Sequence, residues 1–240
     1  MQRYSHLFTL LASLCLLFVA AGCAPENPES WYPIQKEHRP YLRWWWLGSA
    51  VDEEGLSFNL EQFADKGFGG VEITPIYGVQ NNEENDVEFL SPRWMELLQH
   101  TLKEGERLGL GIDLNNGTGW PFGGPTITTD HSARKFILEK IPVAADTRFV
   151  GAILPSEERQ QAVAELIRLQ AVRGAERIDL TPLVEKDTLR WEPPQGADWT
   201  LYALFKGRTF QRVKRAAPGG EGLVMNHYDR RTLNHYLERF

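Results

Sequence analysis

Cysteine is almost absent from this chain of 240 residues, which contains only Cys15 and Cys23. Cys15 lies in an apolar N-terminal run that we expect to be removed, so Cys23 would be the only cysteine of the mature chain. A single cysteine forms neither an internal disulfide nor a cysteine pair for zinc or thiol chemistry. The sequence therefore excludes disulfide scaffolds and dithiol redox sites.

Several motifs of familiar enzymes are missing as well. The sequence has no GxSxG nucleophile elbow, no phosphate-binding P-loop and no HExxH zinc motif. The GFGG at 67–70 stands at the start of a predicted strand, whereas a dinucleotide-binding loop connects a strand to a helix. The net charge is -6 and Lys and Arg are not clustered, so we expect no nucleic-acid partner.

The N-terminus has the pattern of a targeting segment. Arg3 precedes an apolar run from Leu7 to Val19, which is too short to span a bilayer as a mature helix. Small residues then precede Cys23, which resembles the signal of a bacterial lipoprotein. Ala20 replaces the usual leucine three residues before the cysteine, so cleavage by an ordinary signal peptidase stays open as an alternative.

These features predict a lipoprotein-type signal peptide at 1–22, lipidation at Cys23 and a polar tether at 23–38. The lipid would anchor the protein to a membrane. The expected location is the bacterial cell envelope, as an outer-membrane lipoprotein or a periplasmic protein.

Strand and helix patterns alternate after the tether. Leu56, Leu60 and Phe63 recur at helical spacing, and Ser91 followed by Pro92 is typical of a helix start. Strands are predicted at Tyr41–Leu47, Phe68–Ile76 and Gly109–Asn115. Such alternation favours a parallel sheet, and we predict an α/β fold that forms part of a (β/α)8 TIM-like barrel.

The alternation is lost from Arg134 to about Arg215, where short strands and turns predict an antiparallel β insertion. VAELIRLQAV is assigned as a strand here, although its apolar spacing also fits a helix. Gly222–Tyr228 is predicted to be a fourth barrel strand. The expected domains are 39–130 as the first part of the barrel, 131–215 as the β-rich insertion and 216–240 as the return to the barrel.

Polar residues lie at or near the predicted carboxyl ends of these strands. Ligands of parallel α/β folds bind at those ends, and a carboxylate within such a strand is costly unless it is paired. The candidates are Glu72, Asp113, Asn115, Asn116 and His227.

Each of these candidates also has a purely structural alternative. Glu72 could be an acid paired with Arg43, and Asp113 could accept hydrogen bonds from the turn that follows it. The two asparagines could be turn formers, and His227 could be a core histidine.

The glycine-rich loop LNNGTGWPFGGP, Leu114–Pro125, adds two aromatic rings beside the asparagines. A loop that only turns the chain gains nothing from the rings of Trp120 and Phe122, so we expect them to cover something. Aromatic rings, amides and carboxylates together are the usual means of binding a sugar.

Three motifs give this chain a specific resemblance: GGVEI at 69–73, FLSPRW at 89–94 and NNGTGWPFGGP at 115–125. They resemble the N-terminal barrel segment of glycoside hydrolase family 106, the α-L-rhamnosidases. The resemblance implies inverting hydrolysis of terminal α-L-rhamnosyl residues of plant or bacterial glycans, with a calcium ion that helps to bind the sugar. It implies calcium contacts at Glu72 and Asn116, and substrate contacts at Glu72, Asn115, Asn116, Trp120 and His227.

One departure from the family concerns length. Family members are far longer, and their general acid and base are expected on later barrel strands, which would lie beyond Phe240. We therefore expect an N-terminal fragment that is inactive by itself. The alternative is a non-catalytic, surface-anchored lipoprotein that binds carbohydrate.

Overall fold

The computed structural model describes residues 34–240. The predicted signal peptide, Cys23 and the tether up to residue 33 lie outside the described residues. Among residues 34–240, no helix is both long enough and apolar enough to cross a membrane.

The first structural layer is a parallel sheet of β1 (Tyr41–Leu47), β2 (Gly70–Ile76) and β3 (Gly111–Leu114). Helix α1 (Glu53–Asp65) connects the first two strands, and α2 (Pro92–Leu108) connects the second and third. The predicted alternation of strand and helix is thus confirmed for this part of the chain.

Local capping interactions set the bounds of both helices. The Asp52 side chain accepts a hydrogen bond from the Gly55 N–H at 2.7 Å, and the Ser91 hydroxyl accepts one from the Trp94 N–H at 3.3 Å. Helix α2 ends at Gly109, whose φ of 69° favours glycine. The predicted start of α2 is confirmed.

The two helices cover only one face of the parallel sheet. Trp46, Ile73 and Trp94 are fully buried between the sheet and the helices. Residues on the opposite face alternate with them along each strand, and several are exposed. We call this second face, which presents Arg43, Trp45, Glu72 and Asp113, the open face.

Antiparallel strands account for most of the remaining chain. The bounds of these strands are β5 Arg134–Val143, β6 Phe149–Ala152, β7 Glu165–Arg173, β8 Glu176–Asp179, β9 Val184–Glu185, β10 Thr188–Trp191 and β11 Trp199–Arg208. One sheet has the order β5-β11-β7-β8, and a second has the order β6-β10-β9. The buried residues of the two sheets share one core that includes Leu169, Leu189 and Leu201.

Helical structure within the insertion is limited to α3 (Glu158–Gln161) and a 3-10 turn at Thr181–Leu183. VAELIRLQAV contains all of β7 except its last residue, so the strand assignment is confirmed and the helical alternative is wrong. An antiparallel β region follows the parallel sheet, as predicted.

The predicted fourth barrel strand is wrong. Only β12 (Leu223–Val224) forms in this segment, and it pairs antiparallel with β4 (Gly123–Gly124) of the glycine-rich loop. Nearby backbone hydrogen bonds, including Met225 N–H to Phe122 O at 2.9 Å, attach the segment to that loop. The described residues therefore form a mixed α/β structure with open sheets, and no TIM barrel is present among them.

The chain ends with helix α4 (Arg230–Leu237) and three further residues. The Asp229 side chain caps α4 by accepting a hydrogen bond from the Arg231 N–H at 3.0 Å, as the sequence predicts. Tyr236 of α4 packs with Ile127 and Met225, so this helix lies against the glycine-rich loop.

Candidate active site

A row of three charged side chains crosses the open face. Arg43, Glu72 and Asp113 are register partners on the three parallel strands. The Arg43 Nε donates to Glu72 Oε2 at 2.8 Å, so the ion pair that the sequence offered as an alternative is present. The Arg43 side chain is half exposed, and exposed ion pairs contribute little to stability. The ion pair therefore orients the Glu72 carboxylate, but it is not needed to neutralise a buried charge, because both side chains reach solvent.

Asp113 lies beside Glu72 on this row and is exposed to solvent. The hydrogen bonds of the described residues include none from a loop N–H to the Asp113 carboxylate, so the turn-holding alternative is not observed. Two carboxylates on neighbouring strands, open to solvent, can accept hydrogen bonds from sugar hydroxyls.

Two tryptophans form an aromatic wall next to the charged row. Trp45 is 44% exposed and Trp120 is 37% exposed, and their rings meet edge to face with centroids 5.8 Å apart. The guanidinium carbon of Arg43 lies 5.8 Å from the centre of the Trp45 ring. The two rings and Arg43 together present a surface suited to the C–H face of a sugar.

Backbone pairing brings Trp120 to this wall. The Trp120 N–H donates to Lys214 O at 2.9 Å, and the Lys214 N–H donates back to Trp120 O at 2.9 Å. Gly119, with φ of 60°, leaves room for this approach, because a Cβ there would overlap the Lys214 carbonyl oxygen. The glycine-rich loop thus places Trp120 against Trp45 of β1, the first strand of the parallel sheet.

The two asparagines lie at the carboxyl end of β3, as the sequence predicts. The Asn115 N–H donates to Ile73 O at 2.9 Å, which extends the pairing of β3 with β2 by one residue. Asn116 is exposed, and its backbone carbonyl accepts a hydrogen bond from the Tyr236 hydroxyl at 2.5 Å. Helix α4 therefore fixes the backbone at Asn116 and leaves its side-chain amide accessible to a ligand.

His227 does not lie at the end of a parallel strand. Its segment pairs with the glycine-rich loop, and β12 ends at Val224, three residues earlier. The imidazole is exposed, so the core alternative is wrong, and no hydrogen bond between described residues joins it to the open face. A substrate contact at His227 stays a prediction without its original geometric reason.

The predicted calcium site has suitable donor atoms but too few of them. Calcium takes roughly six to eight oxygen ligands. Glu72 Oε2 is engaged by Arg43, and residues 34–240 contain no group of three or more His, Cys, Asp or Glu side chains that could ligate a metal. The described residues therefore do not form a complete calcium site, and ligands from outside them would be needed.

Asp86 is a candidate that the sequence did not reveal. The run Glu83–Asp86 suggests a solvated loop, and Glu83–Asn85 is indeed an exposed 3-10 turn. The Asp86 carboxylate, however, lies against Gly48 and Gly78, the residues just after the ends of β1 and β2. Its Oδ1 is buried without a hydrogen-bond partner among the described residues. Burial, assisted by the charge of Glu83, raises the pKa of Asp86.

Replacing Asp86 with asparagine is expected to raise the melting temperature at neutral pH. Asparagine is nearly the same size as aspartate, and the substitution removes a poorly solvated charge. A raised pKa in the folded state means that folding favours the protonated acid, so the wild-type protein gains stability as the pH falls through that pKa. The advantage of the variant should therefore shrink from pH 7 to pH 4. Thermal melting at both pH values, with exposed Asp65→Asn as control, measures this. A variant that is less stable than wild type at pH 7 would contradict it.

Comparison with known proteins agrees with the geometry. A family profile described as alpha-L-rhamnosidase, of glycoside hydrolase family 106, matches residues 33–166. A curated protein of Formosa agariphila named "Putative beta-glucuronidase" is 22% identical over 237 residues, covering 81% of this chain and 20% of the relative.

A solved structure, that of a rhamnosidase from Novosphingobium sp. PP1Y, superposes with a TM-score of 0.66 at 13% identity. The match covers 89% of this chain and 37% of that protein, and at this identity it speaks for the fold alone. This chain thus spans about a fifth of the length of the curated relative.

Proposed function

The chain belongs to glycoside hydrolase family 106, the α-L-rhamnosidase family, and from this premise we propose that it is part of a longer hydrolase that cleaves terminal α-L-rhamnosyl residues from glycans with inversion. The observation that carries the proposal is the open face, where the Glu72 and Asp113 carboxylates lie on neighbouring parallel strands beside the paired rings of Trp45 and Trp120.

The described residues would act in binding and orienting the sugar. The rings of Trp45 and Trp120 offer apolar surface to the C–H face of the ring, while Glu72 and Asp113 accept hydrogen bonds from its hydroxyls. Arg43 holds the Glu72 carboxylate in position along the row. The Asn116 amide, two residues past the end of β3, can both donate and accept.

Hydrolysis with inversion needs a carboxylic acid and a carboxylate on opposite sides of the scissile bond, roughly 6.5–9.5 Å apart. We propose that this pair, like the additional calcium ligands, comes from parts of the longer protein outside residues 1–240. When bound, calcium would hold sugar hydroxyls by direct coordination. We also propose that a lipid at Cys23 attaches the enzyme to the cell envelope. An enzyme anchored there would meet glycans at the cell surface.

The test is hydrolysis of an aryl α-L-rhamnoside by the longer protein, with proton NMR identifying the first anomer released. We expect release of β-L-rhamnose before mutarotation. An aryl β-D-glucuronide serves as the competing substrate because of the name of the Formosa relative. Hydrolysis of the glucuronide alone, or release of the α-anomer first, would overturn the substrate or the stereochemistry respectively.

A second candidate is a binding protein without catalysis. The engagement of Glu72 by Arg43 favours it, because a carboxylate held in position by an ion pair is well suited to accept hydrogen bonds from sugar hydroxyls. Saturable binding of rhamnose to the longer protein, without turnover of any aryl glycoside, would identify this function.

A further inference from the structure

A cavity of about 400 Å³ lies over one end of the four-stranded antiparallel sheet, within the size range of ligand pockets. It belongs to strands β5 and β11 and to the segment after β12, whereas the open face belongs to the parallel sheet. Its lining residues are Arg134, Lys135, Phe136, Lys206, Asn226 and Tyr228.

Strand register brings two arginines together at this cavity. Arg134 pairs with Arg208, and Phe136 pairs with Lys206, in the antiparallel ladder of β5 and β11. Side chains two residues apart on a strand share a face, so these four project from the face opposite the core residue Phe205. Arg208 therefore lies next to the lining residue Arg134.

The guanidinium groups of both arginines have unused donors. The Arg208 side chain is only 10% exposed, and its Nε and Nη1 have no hydrogen-bond partner among the described residues. Its recorded ion pair joins Nη2 to the exposed Asp130 at 3.3 Å. Arg134 Nε is likewise buried without a partner. Burial, and then the charge of Arg134, lowers the pKa of Arg208. Unsatisfied buried donors are costly, and an oxyanion would satisfy them.

The lysines of the cavity, by contrast, already have counterions. Lys206 pairs with Glu165 at 2.5 Å, and Lys135 pairs with Glu157 at 2.9 Å. The least compensated positive charge therefore resides on the arginines, because Arg208 has only its 3.3 Å ion pair with exposed Asp130. Their planar fork matches a carboxylate or a sulfate.

Aromatic side chains border the same cavity. Phe136 is 72% exposed and Tyr228 is fully exposed, and Asn226 also lines the cavity. Large exposed rings are costly unless a ligand covers them. Rings beside a cationic pair fit a sugar that carries an acidic group better than they fit a free inorganic anion.

We propose that this cavity binds an acidic sugar residue, with its carboxylate or sulfate group on Arg134 and Arg208 and its ring against Phe136 or Tyr228. That the ligand is a glycan rests on the proposed function. The cavity would then select acidic glycans at a position separate from the open face.

The test is calorimetric titration of the longer protein with tetragalacturonate, with its carboxyl-reduced form, and with a sulfated neutral tetrasaccharide. We expect at least one acidic ligand to bind roughly tenfold or more tightly than the reduced form, and more weakly as salt rises. Arg134→Gln should weaken that binding about ten- to hundredfold. Arg177→Gln, the same charge change on exposed β8, should leave it unchanged. Comparing the affinities for tetragalacturonate and for the sulfated tetrasaccharide shows whether the cavity prefers a carboxylate or a sulfate.

Equal affinities for the acidic and reduced ligands, equal effects of the two variants, or no saturable binding at millimolar ligand would each overturn the proposal. Hydrolysis of a neutral aryl α-L-rhamnoside by Arg134→Gln should match wild type. Absence of that hydrolysis in the wild-type protein counts against the proposed function alone, because the titration measures binding independently of turnover.

Discussion

Replacing Trp94 with alanine is expected to lower the free energy of unfolding by about 3–5 kcal/mol, a large fraction of the stability of most domains. Trp94 is fully buried between α2 and the parallel sheet, where its ring packs against Phe89 with centroids 4.9 Å apart and against Trp46 at 5.7 Å. Its Nε1 also donates a buried hydrogen bond to Ser49 Oγ at 3.0 Å. Urea unfolding of the purified chain, followed by circular dichroism, measures the loss.

Two further variants separate the causes of this loss. Trp94→Phe keeps most of the ring but deletes the donor to Ser49, so it should cost about 1–3 kcal/mol. Met95→Ala alters the next residue of α2, which is partly exposed, and should cost less than about 1 kcal/mol. If Trp94→Ala lowers the free energy of unfolding no more than Met95→Ala does, the packing of Trp94 does not stabilise the core and this prediction is wrong.

Trp94 also connects stability to the candidate site. Ser49 follows β1 directly after Gly48, the glycine against which the Asp86 carboxylate lies. Helix α2 therefore fixes the carboxyl end of β1 through one buried hydrogen bond. Loosening of that end is expected to disturb Asp86 before it disturbs the antiparallel sheets, whose core is formed by other residues.

The parallel sheet was predictable from sequence because its signals are local. Ser91, Pro92 and Gly109 mark the bounds of α2, and the capping geometry observed there depends on neighbouring residues only. The position of Trp45 followed equally from alternation, since Trp44 and Trp46 contact the helices while Trp45 faces the other way.

The failed strand at Gly222–Tyr228 shows where such signals end. An apolar run such as LVM predicts a strand but does not specify its partner, and the partner here is Gly123–Gly124. Asp86 shows the same limit for the site, because its carboxylate lies against Gly48, a residue distant along the chain, as well as against Gly78. Strand pairing and long-range packing depend on residues that only the whole fold brings together, so local sequence patterns do not predict them.

Glu72→Gln and Asn116→Ala are each expected to lower kcat/KM of the longer protein for an aryl α-L-rhamnoside by about ten- to hundredfold. The reason is the loss of a charge-assisted or amide contact to the sugar or to its calcium, worth about 1.5–3 kcal/mol. Asn116 lies just beyond the carboxyl end of β3, Glu72 is the third of the seven residues of β2, and neither is a buried core residue. Rates are measured with and without added calcium, alongside melting temperatures.

Arg43→Gln distinguishes a ligand contact from an ion pair. It removes the 2.8 Å partner of Glu72 and leaves the carboxylate in place. If Glu72 contacts the ligand, Glu72→Gln should lower kcat/KM well below the value of Arg43→Gln, while both variants melt near wild type, because an exposed ion pair contributes about 0–1 kcal/mol. Equal losses in the two variants would assign Glu72 to the ion pair. Wild-type rates and calcium dependence in both Glu72→Gln and Asn116→Ala would remove these residues from the site.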